Sequence, residues 1–177
     1  MKMNIYILTG LMASCSIILG VIENFIPTPV PAIRLGLSNV PILIMIYLAG
    51  SKYAFQVSFL KSLIVPVLSA NIIFKMSLSV PATFISFAAM ALTFYFFKNR
   101  LSIVTVSVVG AVFHMITQLI VVSIFYVPGL IYTKLAGVLL LSATITGILM
   151  GIIAYKIVSH KQIKSMFAGL ELNNKSN

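Results

Sequence analysis

The chain has 177 residues, of which 60% are hydrophobic and only 8% charged, with a mean hydropathy of +1.14. A water-soluble domain is usually about 45–50% apolar and about 25% charged, so this composition has too few polar groups to cover a water-facing surface. The net charge of +10 comes from Lys and Arg residues scattered singly between apolar runs, which argues against a nucleic-acid-binding patch. The composition therefore predicts an integral membrane protein with a single domain.

The apolar runs and the residues that interrupt them predict six membrane-spanning helices. A span across a hydrocarbon core of roughly 30 Å takes about 20 apolar residues of helix. The predicted spans cover residues 5–26, 36–50, 53–73, 77–97, 102–127 and 135–157. The fold class is therefore predicted to be all-α, a polytopic bundle of six transmembrane helices within residues 1–160, followed by a polar cytoplasmic tail at residues 161–177.

The connections between these helices differ in stiffness. Pro27, Pro29 and Pro31 alternate in the first connection, which cannot be helical and is predicted to be extended and stiff. The second span is short and is expected to begin below the outer surface. Further breaks are predicted at residues 50–52, 74–75, 98–100 and 128–129.

The distribution of basic residues predicts the orientation. With the N-terminus inside, eight Lys and Arg residues fall on the cytoplasmic side and three on the opposite side, which are Arg34, Lys75 and Lys134. Cytoplasmic loops carry an excess of Lys and Arg, so both termini are predicted to be cytoplasmic and the proline-rich loop to face outward.

Small residues in the first helix predict close helix packing. Small side chains spaced four residues apart let two helix backbones approach each other. Two explanations remain open for this helix, which are packing inside the bundle and docking of a partner membrane protein. The predicted docking residues are Gly10, Ala13, Ser14 and Gly20. For Gly147 and Gly151 in the last helix, packing inside the bundle is favoured.

Polar side chains within the spans are the best indication of function, because such groups are costly in lipid and usually face a bundle interior or a cavity. His114 and Gln118 are spaced i, i+4 and therefore share one helix face. With the predicted orientation, the polar positions fall in the middle or outer half of the membrane, which predicts a pocket open to the outside. The predicted substrate-binding residues are Glu23, Asn24, Arg34, Asn39, Lys61, Asn71, His114 and Gln118.

Structural roles are possible for the same residues. A single His within a helix is often a hydrogen-bonded packing residue, and Lys61 could pair with Glu23. Glu23 and Asn24 could instead cap the first helix or hold the loop that follows it.

The small number of acidic residues excludes most enzyme classes. The chain has two carboxylates, Glu23 and Glu171, and no Asp, so it lacks the paired Asp-rich motif of a prenyl synthase and a Ser-His-Asp triad. No Gly-rich loop with Lys and Ser/Thr is present to hold ATP phosphates. The single cysteine, Cys15, excludes an intrachain disulfide and a Cys-based zinc site. The sequence predicts a protein that is not an enzyme and that has neither a cofactor nor a metal.

Two segments carry a resemblance to a known family. The segment from Pro29 to Asn39, Pro-Val-Pro-Ala-Ile-Arg-Leu-Gly-Leu-Ser-Asn, resembles the start of the "Gx" family of small membrane proteins. The segment from Val106 to Gln118 resembles the His-containing fifth helix of that family. Lys61 and Met115 depart from it, because Arg and Asn are expected at these positions. The resemblance covers most of residues 5–157.

The family is labelled heptaprenyl diphosphate synthase component I, and its architecture is similar to that of the substrate-binding S components of energy-coupling factor (ECF) transporters. This resemblance implies capture of a vitamin or related small molecule in an outward pocket under the loop between the first two helices. It also implies two kinds of partner, a transmembrane coupling protein that docks on the first helix and two cytoplasmic ATPases.

Three hypotheses follow from the sequence. The leading one is the S component of an importer in the cytoplasmic membrane, taking a vitamin-like molecule or a quinone or isoprenoid precursor. The second is a non-catalytic membrane subunit of a polyprenyl diphosphate synthase. The third is a small autonomous transporter or channel, which the apolar inner half of the bundle disfavours.

Overall fold

The computed structural model describes residues 5–25, 36–69, 71–97, 101–161 and 163. The described residues form six α-helices and two short 3₁₀ turns, Leu37–Asn39 and Leu130–Tyr132, and contain no strand. The helices are α1 (Ile5–Phe25), α2 (Val40–Leu48), α3 (Ser51–Val67), α4 (Ile72–Phe97), α5 (Ile103–Phe125) and α6 (Lys134–Ser159). The predicted fold class, an all-α polytopic membrane protein, is confirmed.

Three sequence predictions fall largely or wholly on residues outside the described part of the chain. These are the stiff proline-rich loop, the break at residues 98–100 and most of the polar tail.

Four helices, α1, α4, α5 and α6, are long and apolar enough to cross a membrane. Their outer faces carry large apolar side chains, such as Ile18 and Leu141, that are more than half exposed and suited to contact with lipid. α3 has 17 residues, and at 1.5 Å per residue it covers roughly 25 Å, slightly less than a hydrocarbon core. α2 is shorter still.

The shortest helix is the most deeply enclosed. α2 packs against α1, α3 and α6, while α3, α4, α5 and α6 pack in sequence around the rest of the bundle. All seven residues from Val40 to Ile46 are buried. Pro41 lies in the first turn of α2, where its missing N–H leaves no hydrogen bond unmade. Because it is surrounded by protein, α2 does not have to match the thickness of the membrane.

The end of the bundle at which α1 and α5 begin and α6 ends is filled with apolar side chains. Leu8, Ile46, Ile103 and Val158 belong to one buried cluster there. The sequence analysis expects the half of the bundle on this side to be almost purely apolar, and these four residues agree with that, while the side of the membrane that they face stays a prediction.

The boundary between the third and fourth helices differs from the prediction. α3 ends at Val67 instead of residue 73, and α4 begins at Ile72 instead of residue 77. The predicted break at residues 74–75 is wrong, since Lys75 lies in the first turn of α4 and its N–H donates to the carbonyl of Asn71. Asn71 forms the actual break with a φ of 59°. Asn adopts this left-handed conformation more readily than most residues. The prediction missed the break because hydropathy does not report backbone conformation.

α5 and α6 approach closely because α6 presents glycines to the α5 backbone. A Cβ atom built on Gly151 would lie 2.7 Å from the Cα of Val104, and one built on Gly147 would lie 3.0 Å from the Cα of Val108. Gly147 and Gly151 therefore pack inside the bundle, as the sequence analysis favoured.

We expect Gly151→Ala to destabilise the bundle, because the added methyl group meets backbone that cannot move without separating the two helices. Overpacking of this kind costs about 1–3 kcal/mol. The measurement is the temperature at which the monodisperse size-exclusion peak of the detergent-purified protein falls to half.

Gly137→Ala on the same helix is the matched control, because a Cβ atom at Gly137 meets nothing within 4 Å. This change should leave the protein equally or slightly more stable, since Ala favours helix over Gly by about 0.5–1 kcal/mol. Equal thermal stability of the two variants would contradict the close α5–α6 contact.

Candidate functional site

A polar cavity lies between the end of α1, the start of α2 and the middle parts of α5 and α6. It encloses about 410 Å³ of space, including its open mouth. Five of the eight predicted substrate-binding residues line it. These are Glu23, Asn39, Lys61, His114 and Gln118, and they are joined by Gly36, Ser38, Ala111, Met115, Ala143 and Thr146. Helices that are distant in sequence thus bring the predicted residues together, although their contact with a ligand remains a prediction.

The other three predicted residues are not placed in the cavity. Asn71 lies in the exposed turn between α3 and α4 and is not among the lining residues, so its assignment to the end of the third helix is corrected. Arg34 and the side chain of Asn24 lie outside the described part of the structure.

One wall of the cavity is a short non-α-helical stretch, residues 36–39, which we call the anchored segment. Gly36 adopts a left-handed conformation with a φ of 78°, which glycine tolerates without strain and which turns the chain into the following 3₁₀ turn. The carboxylate of Glu23 accepts hydrogen bonds from the N–H of Leu37 at 2.7 Å and from the hydroxyl of Ser38 at 2.9 Å. Glu23 therefore holds the end of the loop and also lines the cavity.

α1 offers a matching face to the anchored segment. Ser16, Gly20 and Glu23 follow one another at spacings of four and three residues, so they lie on one side of the helix. Ser16 donates to the carbonyl of Ser38 at 2.5 Å. Gly20 leaves room for the approach, because a Cβ atom there would lie 2.8 Å from Val65 and 3.5 Å from the Cβ of Ser38.

This arrangement corrects half of the predicted docking face. Ala13 is only 3% exposed, and Gly20 packs against Val65, so both lie inside the bundle. Gly10 and Ser14 lie on the exposed side of α1. A Cβ atom at Gly10 would meet nothing within 4 Å. The sequence could not distinguish the buried small residues from the exposed ones, because small residues recur along the whole of α1.

A buried cation faces the anchored segment from α3. Lys61 is 3% exposed, and its ammonium group donates to the side-chain oxygen of Asn39 at 2.5 Å. An ammonium group in a membrane interior requires such an oxygen partner. Since Glu23 bonds Ser38 and Lys61 bonds Asn39, the carboxylate and the cation are connected through two neighbouring residues.

The α5 wall consists of residues on one helix face. Ala111, His114, Met115 and Gln118 are spaced three, one and three residues apart, and the amide nitrogen of Gln118 lies 3.3 Å from Nε2 of His114. The predicted shared face of His114 and Gln118 is confirmed. Gln118 is 4% exposed, so its side chain is almost fully enclosed.

A second, apolar compartment adjoins the polar cavity. It measures about 280 Å³ when the open space at its mouth is included, and it shares Gly36, Asn39, Ala111 and Thr146 with the first. Its remaining lining includes Leu43, Met90 and Met150, which reach it from three different helices. The two compartments together have a polar side and an apolar side.

Sequence reasoning missed several lining residues. Ser38 could have been included, because it lies next to the predicted residue Asn39. Nothing in the sequence distinguishes Thr146 from a Thr that only packs in a helix. Thr146 donates to the carbonyl of Ala143 within its own helix, which is what a Thr that only packs in a membrane helix also does. Ala111, Ala143 and Met115 are ordinary apolar residues of such a helix.

The comparisons with known proteins give one match. A family model described as heptaprenyl diphosphate synthase component I matches residues 12–157. No curated protein and no solved structure matches the chain. The match covers most of the chain, which therefore belongs to the heptaprenyl diphosphate synthase component I family.

We expect Glu23→Ala to release the anchored segment, because it removes the acceptor for both Leu37 and Ser38. A hydrogen bond to a charged group contributes about 1.5–3 kcal/mol, so the loss should reach about 3 kcal/mol in total. The measurement is thermal stability by size exclusion, together with maleimide labelling of Leu37→Cys in a Cys15→Ala background, which should become faster.

Glu23→Gln is the matched control. Its amide oxygen still accepts from the N–H of Leu37, and its amide nitrogen can donate to the rotated hydroxyl of Ser38. It should therefore retain most of the stability. Unchanged labelling in Glu23→Ala would show that other contacts hold the segment.

Proposed function

We propose that this member of the family is the substrate-binding S component of an ECF-type importer, which captures a small molecule in the polar cavity. The observation that carries the proposal is the convergence of Glu23, Asn39, Lys61, His114 and Gln118 on one cavity. The other buried polar side chains of the described residues are all Ser or Thr. Buried polar groups are costly in a membrane and usually serve a substrate or ion site.

The proposed substrate is a vitamin-like molecule or a quinone or isoprenoid precursor. Lys61, His114 and Arg34 provide donors for an anionic or hydrogen-bonding group, and Asn39 and Gln118 orient it. The protein is proposed to be non-catalytic, since a chain without Asp offers no pair of carboxylates for magnesium-dependent chemistry.

The proposed location is the cytoplasmic membrane, with both termini in the cytoplasm. The excess of Lys and Arg in the segments at the N- and C-terminal ends of the bundle supports this orientation. With this orientation the proposed cavity opens to the outside, because Glu23 and the anchored segment, which line it, lie toward the outer ends of α1 and α2.

Partners must supply the energy, because the sequence has no nucleotide-binding motif. We propose a transmembrane coupling protein and two cytoplasmic ATPases. The exposed small residues Gly10 and Ser14 on α1 are the proposed docking positions, and the hydroxyl of Ser14 bonds within its own helix to the carbonyl of Gly10. The bond satisfies the Ser14 hydroxyl within α1, and the small size of both residues would let another helix approach closely.

The second candidate is a membrane subunit that associates with a polyprenyl diphosphate synthase without catalysing the reaction. Two observations favour it, the description of the family and the apolar compartment beside the polar cavity. Under this function, an Asp-rich soluble synthase would copurify with the chain and would lose activity when the chain is deleted.

The site assignment predicts that Lys61→Met reduces the amount of copurified small molecule, measured by mass spectrometry of the detergent-extracted protein. The change removes the cation of the cavity wall and frees Asn39. The loss of a charge-assisted hydrogen bond should reduce retention roughly 10-fold or more. His114→Leu should act in the same direction.

Lys52→Met and His160→Leu are the matched controls, because both residues are exposed and are not among the lining residues of the cavity. Folding should be intact in all four variants by size exclusion. Equal ligand retention in Lys61→Met and Lys52→Met would overturn the site assignment.

The docking assignment predicts that Gly10→Leu weakens association with the coupling protein while ligand retention is unchanged. The added side chain has space in the isolated protein but blocks close approach of another helix. We expect roughly 10-fold weaker copurification of the coupling protein and ATPases. Gly137→Leu on α6 introduces the same bulk at another glycine with nothing within 4 Å, and it should have no effect.

Copurification of a soluble synthase in place of ATPases would favour the second candidate. Flux of substrate in proteoliposomes that contain only this chain would contradict both functions and support an autonomous transporter.

A further inference from the structure

We propose that the polar cavity holds an ordered water molecule that donates a hydrogen bond to the side-chain oxygen of Gln118. The inference goes beyond the proposed function, because the water is bound in this position whether or not the cavity also takes a substrate. It gives a buried acceptor of the bundle a partner from outside the chain.

The first observation concerns the space inside the cavity. The volume of about 410 Å³ counts all the space between atoms together with the open mouth, whereas the space available to the centre of a water molecule is about 20 Å³. A cavity needs roughly 10–15 Å³ of such space to hold one water molecule. The polar cavity therefore has room for a water molecule.

The second observation concerns the amide of Gln118. Its nitrogen lies 3.3 Å from Nε2 of His114, but its oxygen is buried and has no hydrogen-bond partner among the described residues. Gln118 is 4% exposed and lines the cavity. A buried acceptor without a donor is destabilising, and native proteins usually satisfy such a group with the chain itself or with an ordered water. The oxygen of Gln118 therefore points to a donor inside the cavity.

The third observation concerns the other polar groups of the cavity. A buried water usually makes about three hydrogen bonds, so a single acceptor does not hold it. The lining also contains Ser38, Asn39, Lys61 and Thr146, whose side chains carry hydroxyl, amide and ammonium groups. Water both donates and accepts hydrogen bonds, so it can bond to groups of each of these kinds.

A water molecule at Gln118 has a consequence for the ligand, and this step alone rests on the proposed function. A ligand that displaces the water removes the donor to the buried oxygen. It then has to present an N–H or O–H group of its own at the same position, because the acceptor is otherwise left unpaired.

The test is X-ray radiolysis of the detergent-purified protein, followed by mass spectrometry of methionine oxidation. Radiolysis converts water into hydroxyl radicals, which oxidise the side chains next to each water molecule. Met115 is 3% exposed and lines the cavity, whereas Met45 is 0% exposed, belongs to the apolar cluster and is not among the lining residues. We expect rapid conversion of Met115 to the sulfoxide, while Met45 stays at background.

Two controls separate an ordered water from solvent that enters through the mouth. Hydrogen peroxide added to the buffer acts from the bulk solvent, so it should oxidise Met115 as slowly as Met45. Gln118→Leu removes the proposed acceptor and should lower radiolytic oxidation of Met115 about 2- to 10-fold, since the loss of one hydrogen bond reduces occupancy by this factor. Gln56→Leu, on α3 and not among the lining residues, should leave it unchanged.

Three results would overturn the water site. These are radiolytic oxidation of Met115 at the rate of Met45, rapid oxidation of Met115 by peroxide, and equal radiolytic oxidation of Met115 in the wild type and in folded Gln118→Leu. A copurified ligand without an N–H or O–H group would overturn the consequence for the ligand. None of these results removes the proposed transport function, which fails if no ligand is retained and no ATPases copurify.

Discussion

The hydrogen bonds between the Glu23 carboxylate and the anchored segment are the interaction on which the rest of the site depends. Backbone that leaves a regular helix inside a membrane protein must find partners within the protein, because lipid offers none. Glu23 satisfies the N–H of Leu37 and the hydroxyl of Ser38, and Ser16 donates to the carbonyl of Ser38. These bonds allow a non-α-helical stretch to lie among the helices, where it forms a cavity wall and determines where α2 begins.

The same bonds explain why a lysine is tolerated within α3. The anchored segment ends at Asn39, and the side-chain oxygen of this residue is the acceptor that the Lys61 ammonium group requires. The segment therefore carries the carboxylate bonds on Leu37 and Ser38 and the cation bond on Asn39. Neither charge faces lipid, and the two formal charges balance within one wall. A cavity that brings a cation, a carboxylate and two amides together is thus compatible with a bundle whose other buried side chains, among the described residues, are apolar or small hydroxyl groups.

The sequence predicted those parts of the structure that follow from hydropathy and from the cost of polar groups in lipid. It identified six helices, the shared face of His114 and Gln118, and five residues that line one cavity. The α3–α4 boundary was wrong because Asn71 breaks the chain by a positive φ within a largely apolar sequence. The inward orientation of Gly20 was equally hidden, because its neighbour Val65 is distant in sequence. Only the three-dimensional packing reveals such contacts.

The distribution of polar and apolar groups also bears on how a molecule could cross the membrane. The polar cavity lies between the end of α1, the start of α2 and the middle parts of α5 and α6, while Leu8, Ile46 and Val158 belong to a buried apolar cluster toward the end where α1 begins. A hydrated ion or polar solute gains no hydrogen bonds along such a cluster and would lose its water there, which is strongly unfavourable. A bundle that keeps this arrangement can bind a solute at one side, but its apolar cluster gives a polar solute no continuous path across the membrane. Release on the other side then requires movement of the whole bundle or a partner that opens it, which favours a binding subunit over an autonomous channel.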